Sequence, residues 1–412
     1  MNAAQPSLVL STYRDVQEAL SNGALTRSID AERFERGNIL EGVVMMLNGS
    51  QHRDRRRIEN TLFRREVLTE YEQKLFPVVI EETLAPIVRQ GKADLVETGA
   101  LLAVVLSARM VGIDFDVDSL DQRRRLIRYA AAFTRAVAID VAVVPEAELR
   151  SASDAALAGF TSTFLRPSWD RRAALIAAVE AGERVESYLP RDLLTTLLRH
   201  REAHGLDDGQ VIRETAFYLE ASADTSAQAL TNSIDLVFDH ARRDPSALSR
   251  LTQDTFLVQR FVHEAVRLRP TVPRIRRRTL TDTVLNGTVV PADTLVELDT
   301  TAANRDVDVF GPSADEFDPW REVPATVPRY AHAFGGGVHS CIGRNLAVGL
   351  SLRGDQPPPD NHLFGIVPLM VQALLRAGMR PDPTAEAVPD TFSTRWTRWA
   401  DYPVVFEAAV TA

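Results

Sequence analysis

Apolar residues recur at helical spacing along most of the first two thirds of the chain. Val9 to Leu20 reads as a short strand turning into a helix, and residues 21–50, with Gly23, Gly37, Gly42 and Gly49, as a long loop with partial helix. Residues 52–66 form a charged helix that turns Ile58, Leu62 and Phe63 to one side. Helical periodicity then continues to about residue 265, with breaks expected at Pro86, near Pro145, and at Pro167, Pro190 and Pro245. From 271 to 300 the texture changes to Thr and Val, and Asn286-Gly287 signals a hairpin ahead of Pro291. A long loop follows Phe317, then a glycine-rich turn at 335–337, a helix from about 342 and strand-like runs such as Tyr402 to Phe406. The pattern predicts a mainly α chain with a smaller β region, an α+β layout without regular βαβ alternation. With no internal repeat and no low-complexity linker, residues 1–412 are expected to form a single domain.

Composition narrows the class. The chain has 412 residues, 45% hydrophobic and 25% charged, enough to bury a large core. No run of ~18 apolar residues is present to span a bilayer. Met1 to Tyr13 lacks the basic start and apolar stretch of a signal peptide, so a cytoplasmic location without a membrane partner is expected. A net charge of −9 argues against nucleic acid as a partner. Only two of the 47 basic residues, Lys74 and Lys92, are lysines, so any buried cation will be an arginine, always charged and forked to match carboxylates. The one cysteine, Cys341, excludes an intrachain disulfide and any multi-cysteine zinc or iron–sulfur site.

Cys341 sits in Phe334-Gly-Gly-Gly-Val-His-Ser-Cys-Ile-Gly343. Glycines ahead of it let the backbone turn tightly around the sulfur, and a helix beginning just after it favours thiolate over thiol. Taken alone, the segment suits a metal-bound thiolate, a nucleophile with His339 as base, or an inert cysteine in a turn. The spacing Phe-Gly-x-Gly-x-His-x-Cys-x-Gly resembles the haem-binding signature of the cytochrome P450 family.

Further segments resemble that family in the same order along the chain. Glu264-x-x-Arg267 resembles its buried Glu/Arg helix pair, and Arg321, in Phe317-Asp-Pro-Trp-Arg321, the partner that completes the cluster. Ala302-Ala-Asn-Arg-Asp306 is also similar to bacterial members. His52-x-x-x-Arg56, Arg277 and His339 resemble the residues that reach the haem propionates, groups that need cationic partners when buried. Phe334 and Gly335 would lie against the cofactor, and Cys341 would bind its iron. Ala221-Ser-Ala-Asp-Thr-Ser226, within a long helix predicted over 211–240, resembles the family's acid–alcohol segment, with Asp224 and Thr225 in the proton-relaying positions. Ser222 replaces the usual glycine; it is expected to bond a backbone carbonyl and leave the helix kinked there. Without the resemblance, an Asp-Thr pair merely back-bonds within its helix.

The resemblance implies the family's fold, haem b on an axial thiolate, and a monooxygenase that inserts one atom of O2 into an organic substrate by hydroxylation or epoxidation. It also implies a separate ferredoxin and ferredoxin reductase, since no flavin or nicotinamide fingerprint is present. Oxidative coupling without oxygen insertion, and haem binding without turnover, are the alternatives. The substrate wall is expected around Phe34 to Met46 (Val44 and Met45 above all), near Leu219 and Ala221, over Thr271 to Ile275 with Val272, and at Phe392 to Thr394, suiting a bulky apolar secondary metabolite. Finally, Gly354-Asp-Gln-Pro-Pro-Pro-Asp-Asn361 cannot continue a helix. An exposed polyproline-like loop at about 354–362 is expected between two shorter helices, starting about 20 Å of helix beyond Cys341, where it either tunes docking of the redox partner or is a tolerated surface insertion.

Overall fold

The computed structural model describes residues 8–27, 39–139, 142–352, 358–393 and 397–407. They group into two compact units: the described residues of Met1–Ile29, Glu72–Gly99 and Ser226–Ala412 in one, and those of Asp30–Tyr71 and Ala100–Thr225 in the other.

The first unit carries the strands: β1 (Leu8–Leu10), β2 (Leu25–Thr26), β3 (Lys92–Asp94), β4 (Arg274–Thr279), β5 (Thr283–Leu285), β6 (Thr288–Val290), β7 (Leu295–Asp299), β8 (Met379–Pro381), β9 (Val388–Pro389), β10 (Trp399–Asp401) and β11 (Pro403–Phe406). Four make a sheet in the order β1-β7-β4-β2, with β1 parallel to β7 and the other pairs antiparallel. Its inner face packs Leu10, Val16, Leu20, Ile275, Val296 and Leu298 into one apolar cluster. Asn286 and Gly287, both at positive φ, turn β5 into β6, the conformation an Asn-Gly hairpin requires. β3, β11 and β8 form a separate three-stranded sheet.

The second unit is helical. At its polar centre Arg172 forks onto Asp192, through Nε at 2.9 Å and Nη2 at 2.7 Å, and reaches Asp114 with Nη1 at 2.6 Å. Asp192 in turn caps the helix Leu193–His200 by accepting from the Thr195 amide. Gly112 lies against this group, where a Cβ would fall 2.6 Å from the Asp192 carboxyl carbon.

Two expected proline breaks are absent. Pro86 lies inside the helix Phe76–Gln90, which ends instead at Gly91 in a left-handed cap. Pro167 follows a π-helical turn, Thr161–Leu165, which lets the next helix, Arg166–Glu180, continue directly from Glu146–Phe160. A wider turn accommodates the hydrogen bond that a proline cannot make. The charged helix near residue 52 spans Gly49–Glu59, shorter than expected. No described helix is long and apolar enough to cross a membrane.

Candidate haem-thiolate site

Cys341 closes a tight loop. Its amide donates to the Phe334 carbonyl at 3.0 Å, Gly335 N donates to His332 O at 2.9 Å, and Ser340 N donates to Gly337 O at 3.2 Å. Gly335 and Gly337 sit at φ +63° and +62°, and a Cβ on Gly337 would fall on the Leu20 carbonyl oxygen of the first helix. The loop is thereby pressed onto the sheet unit, with Gly335 above Ile275 of β4. Cys341 is exposed, His339 is half-buried, and the Phe334 ring meets Tyr330 edge-on at 5.1 Å.

The helix after the cysteine is much shorter than the sequence suggested: it spans only Arg344–Val348 and ends at Gly349, φ +71°. So few aligned peptides contribute little dipole to the sulfur, and a helix terminus is not what favours the thiolate here. The cause of the early stop is tertiary. The Gln259 side-chain amide donates to the carbonyls of Val348 at 2.9 Å, Leu363 at 3.1 Å and Phe364 at 3.1 Å. His263, buried and pushed down to about 4 by desolvation, bonds Val348 O at 2.9 Å. The following segment, 349–365, precedes the helix Ile366–Arg376. Of the expected loop at 354–362, Pro359, Asp360 and Asn361 are exposed, His362 is buried against Gln259 at 2.8 Å, and residues 354–357 lie outside the described set.

Glu264, Arg267 and Arg321 are brought together. Arg267 is fully buried and grips Glu264 with Nε and Nη2, both at 2.7 Å. Its Nη1 donates to Asn304 O at 2.5 Å and Ala314 O at 2.9 Å. Arg321 Nε donates to Glu264 at 3.3 Å, and its other nitrogens donate to the carbonyls of Phe310 and Ser313 at 2.6 and 2.7 Å. Asn304 extends the cluster: its amide donates to Arg267 O at 3.0 Å, and its side-chain oxygen accepts from His332 N at 2.9 Å. His332 O then receives Gly335 N, so an unbroken hydrogen-bond path joins Glu264 to the cysteine loop. Asn304 was visible only as part of the Ala302–Asp306 segment; nothing local assigned it this bridging role.

Arg277 points inward from β4 and is 4% exposed. Its Nη1 donates to the Arg276 carbonyl at 2.9 Å, and no carboxylate among the described residues pairs with it. Burial, with the charge of Arg27 added, pushes it down to about 9.

In the second unit, His52 and Arg56 share the helix Gly49–Glu59. His52 is buried, and desolvation with the charges of Arg56 and Arg53 holds its pKa low. Asp224 and Thr225 are half-buried on the helix Asp208–Arg243. The helix assignment runs without interruption through Ala221–Ser226. Ser222 does not bond a carbonyl: it meets Ser107, whose Oγ donates to Ser222 Oγ at 2.8 Å. Thr225 Oγ1 donates to Ala221 O at 2.6 Å, a back-bond repeated along this helix by Thr215, Thr231 and Ser233.

Of the expected wall residues here, Val44 and Leu219 are buried, and Met45 and Ala221 half-buried. The Val44 amide donates to both Glu214 oxygens, at 3.0 and 3.1 Å, tying that wall to the long helix. Glu214 also pairs with Arg55, and one turn further along both helices Tyr218 donates to Glu59 at 2.7 Å. Burial lifts Glu214 to about 7 despite the opposing Arg55 and Val44 bonds, and raises Glu59 as well. These two acids were missed by pattern reading, although a Glu beside Ile58, Leu62 and Phe63 was a signal. In the other unit Phe392 is buried, whereas Val272 is 37% exposed and its carbonyl accepts from Thr300. Phe34 and Thr394 lie outside the described residues.

The family model for cytochrome P450 matches residues 187–348. Pulcherriminic acid synthase of Bacillus subtilis (strain 168) is 26% identical over 83% of this chain and 79% of its own length. Erythromycin C-12 hydroxylase of Saccharopolyspora erythraea is 26% identical over 81% of this chain and 77% of its own. The crystal structure of CalO2 shares the fold at a TM-score of 0.72 with 20% identity, covering 97% of this chain and 90% of that one. The matched segment contains Asp224, Thr225, Glu264, Arg267, Arg277, Arg321 and Cys341, and relatives covering four fifths of the sequence carry the likeness beyond it: the chain is similar to the cytochrome P450 family.

Proposed function

We propose that this haem-thiolate monooxygenase inserts one atom of dioxygen into a bulky apolar secondary metabolite, by hydroxylation or epoxidation, with Cys341 as the thiolate ligand. The observation that carries the reading is the loop closed from Cys341 N to Phe334 O, which presents the chain's one cysteine at an exposed position. The relative named as an erythromycin C-12 hydroxylase supports oxygen insertion.

The donor set fits haem. Arg277 is a buried guanidinium without a carboxylate partner among the described residues, as expected of a cation whose partner is a propionate. Cys341 would hold the iron, and Arg277, His339, His52 and Arg56 the propionates, with Phe334 and Gly335 against the ring. Haem supplies the iron centre at which dioxygen is activated, and a thiolate ligand favours O–O cleavage. The protein's own part is positioning and protons. Glu264, Arg267, Arg321 and Asn304 hold the cysteine loop in place through His332. Thr225 Oγ1 rests its proton on Ala221 O and keeps its lone pairs to accept one; rotation off that carbonyl frees the hydroxyl to donate. Asp224, half-buried beside it, passes protons inward.

Electrons come from a separate ferredoxin and its reductase, residues 1–412 act as one catalytic domain, and Val44, Met45, Leu219, Ala221, Val272 and Phe392 contribute to the substrate wall. The test is Cys341→Ser. The reduced carbon monoxide complex of the wild type shows the red-shifted Soret band of a thiolate ligand, and the variant loses it. Persistence of that band in the variant overturns the assignment.

A further inference from the structure

Resting on the haem-thiolate reading, we propose that Arg27 is a second cation of the propionate site: Arg27 and Arg277 form a cross-strand clamp that takes one carboxylate of the cofactor between them.

Three observations in the sheet unit lead there. First, β2 pairs with β4 in the register Leu25↔Thr279 and Thr26↔Arg278. Arg27 follows β2 directly, one residue beyond the Thr26↔Arg278 pair, and lies near enough to Arg277 for its charge to act on it. Like charges at neighbouring cross-strand positions repel.

Second, β4 treats its two faces differently. The arginines of its outer face all have carboxylate partners. Arg274 pairs with Glu297 and, at 3.2 Å, with Asp299; Arg276 reaches Glu297 at 3.7 Å; Arg278 bonds Asp293 at 2.9 Å. The inward Arg277 has none among the described residues, and neither has the half-buried Arg27. A buried and a half-buried guanidinium close together without an anion are costly. A carboxylate between them accepts a fork from each and removes the repulsion.

Third, the inward face of β4 is the one beneath the cysteine loop. Ile275, two residues from Arg277 on the same face, lies 3.7 Å from the Cβ position of Gly335. Arg27 is within electrostatic reach of Cys341 itself. The clamp therefore sits beside the residue proposed to hold the iron. It adds to His52, Arg56, Arg277 and His339 a residue that no motif in the sequence marked.

The test compares haem with its dimethyl ester, which has the same ring and iron but no propionate charge. Each is loaded into wild type, Arg27→Gln and Arg27→Lys, and its loss to excess apomyoglobin is followed by absorbance. Loss of one charge-assisted hydrogen bond predicts haem leaving Arg27→Gln about ten- to a hundredfold faster than wild type. The ester leaves both at the same rate, and Arg27→Lys lies between for haem. The haem-free Arg27→Gln melts no lower than haem-free wild type, because the substitution relieves a repulsion. Equal haem loss from wild type and Arg27→Gln overturns the clamp. So does equal acceleration for haem and ester, which would place Arg27 on the thiolate or in a purely structural role. A wild type that takes up neither ring would instead refute the haem-thiolate reading.

Discussion

Gly349 and Gly365 cross backbone to backbone. A Cβ on Gly365 would fall on the Gly349 nitrogen and 2.6 Å from the Val348 carbonyl carbon. Both residues lie at positive φ, +71° and +84°. Glu72 holds the crossing from the other side, accepting from Phe364 N at 2.9 Å and Gly365 N at 3.0 Å. Segment 349–365 is therefore anchored at its base whatever its tip does. Gly365→Ala adds a clash to a disfavoured φ and is expected to cost roughly 2–4 kcal/mol, read as a lowered unfolding midpoint. Replacing residues 355–361 with a short Gly-Ser linker leaves the base intact. Stability and the substrate dissociation constant are then unchanged, while the rate at sub-saturating ferredoxin falls if the tip tunes docking. An unchanged rate would leave a tolerated surface insertion.

The Glu264–Arg267 pair is buried on both sides. Removing one partner strands the other, at a cost of about 3–5 kcal/mol. Arg267→Ala is expected to lower the unfolding midpoint sharply and to impair haem uptake, since Asn304 and His332 lose their anchor. Asn304→Ala should leave most of the stability and weaken haem retention. A retention equal to wild type would mean that the path through His332 does not support the cysteine loop.

Thr225→Ala removes the hydroxyl that rests on Ala221 O. It is expected to bind haem and substrate normally while diverting electrons to peroxide, with a ~10²–10⁴-fold loss in product formation. Asp224→Asn should slow turnover more than it uncouples it. Product formed per electron consumed is the measurement, and a Thr225→Ala ratio matching wild type would redirect attention to Ser222 and Ser226. Ser107→Ala isolates the Ser107–Ser222 bond; because that contact only braces two helices, coupling should stay within a few per cent of wild type.

Glu214 makes a distinct pH dependence. Its folded pKa, about 7, lies above the usual carboxylate value, so between about 4.5 and 7 the folded state holds a proton that the unfolded chain has released. Stability from this group is fully present at low pH and is lost as pH rises through 7. His263 and His332, both pushed down to about 4 by burial, act in the opposite sense, losing stability as pH falls from 6.5 toward 4. Glu214→Gln removes only the first contribution. The midpoint of the variant minus that of wild type should therefore rise from pH 5 to pH 7.5; a flat difference would show that Glu214 titrates as an ordinary carboxylate.

What the chain determined by itself is what lies close in sequence. The glycine-cysteine segment forms its loop through bonds among residues 332–341, so spacing alone carried its shape. The Asn286-Gly287 hairpin and the pairing of Glu264 with Arg267 across one helical turn are local in the same way. What only the tertiary structure decided depends on partners far apart in the chain. Pro86 and Pro167 looked like breaks because a proline removes one hydrogen bond, yet packing and a π turn carry the helices through. The helix after Cys341 stops at Gly349, where Gln259 and His263 both take the carbonyl of its last residue, Val348, from a helix some 85–89 residues earlier. Glu59 and Glu214 meet Tyr218 and Arg55 across 159 residues, and Arg27 comes within electrostatic reach of Arg277 only when β2 docks on β4. No periodicity records such meetings: a charge acquires its buried neighbour, and its cost or its use, only when two distant segments close on each other.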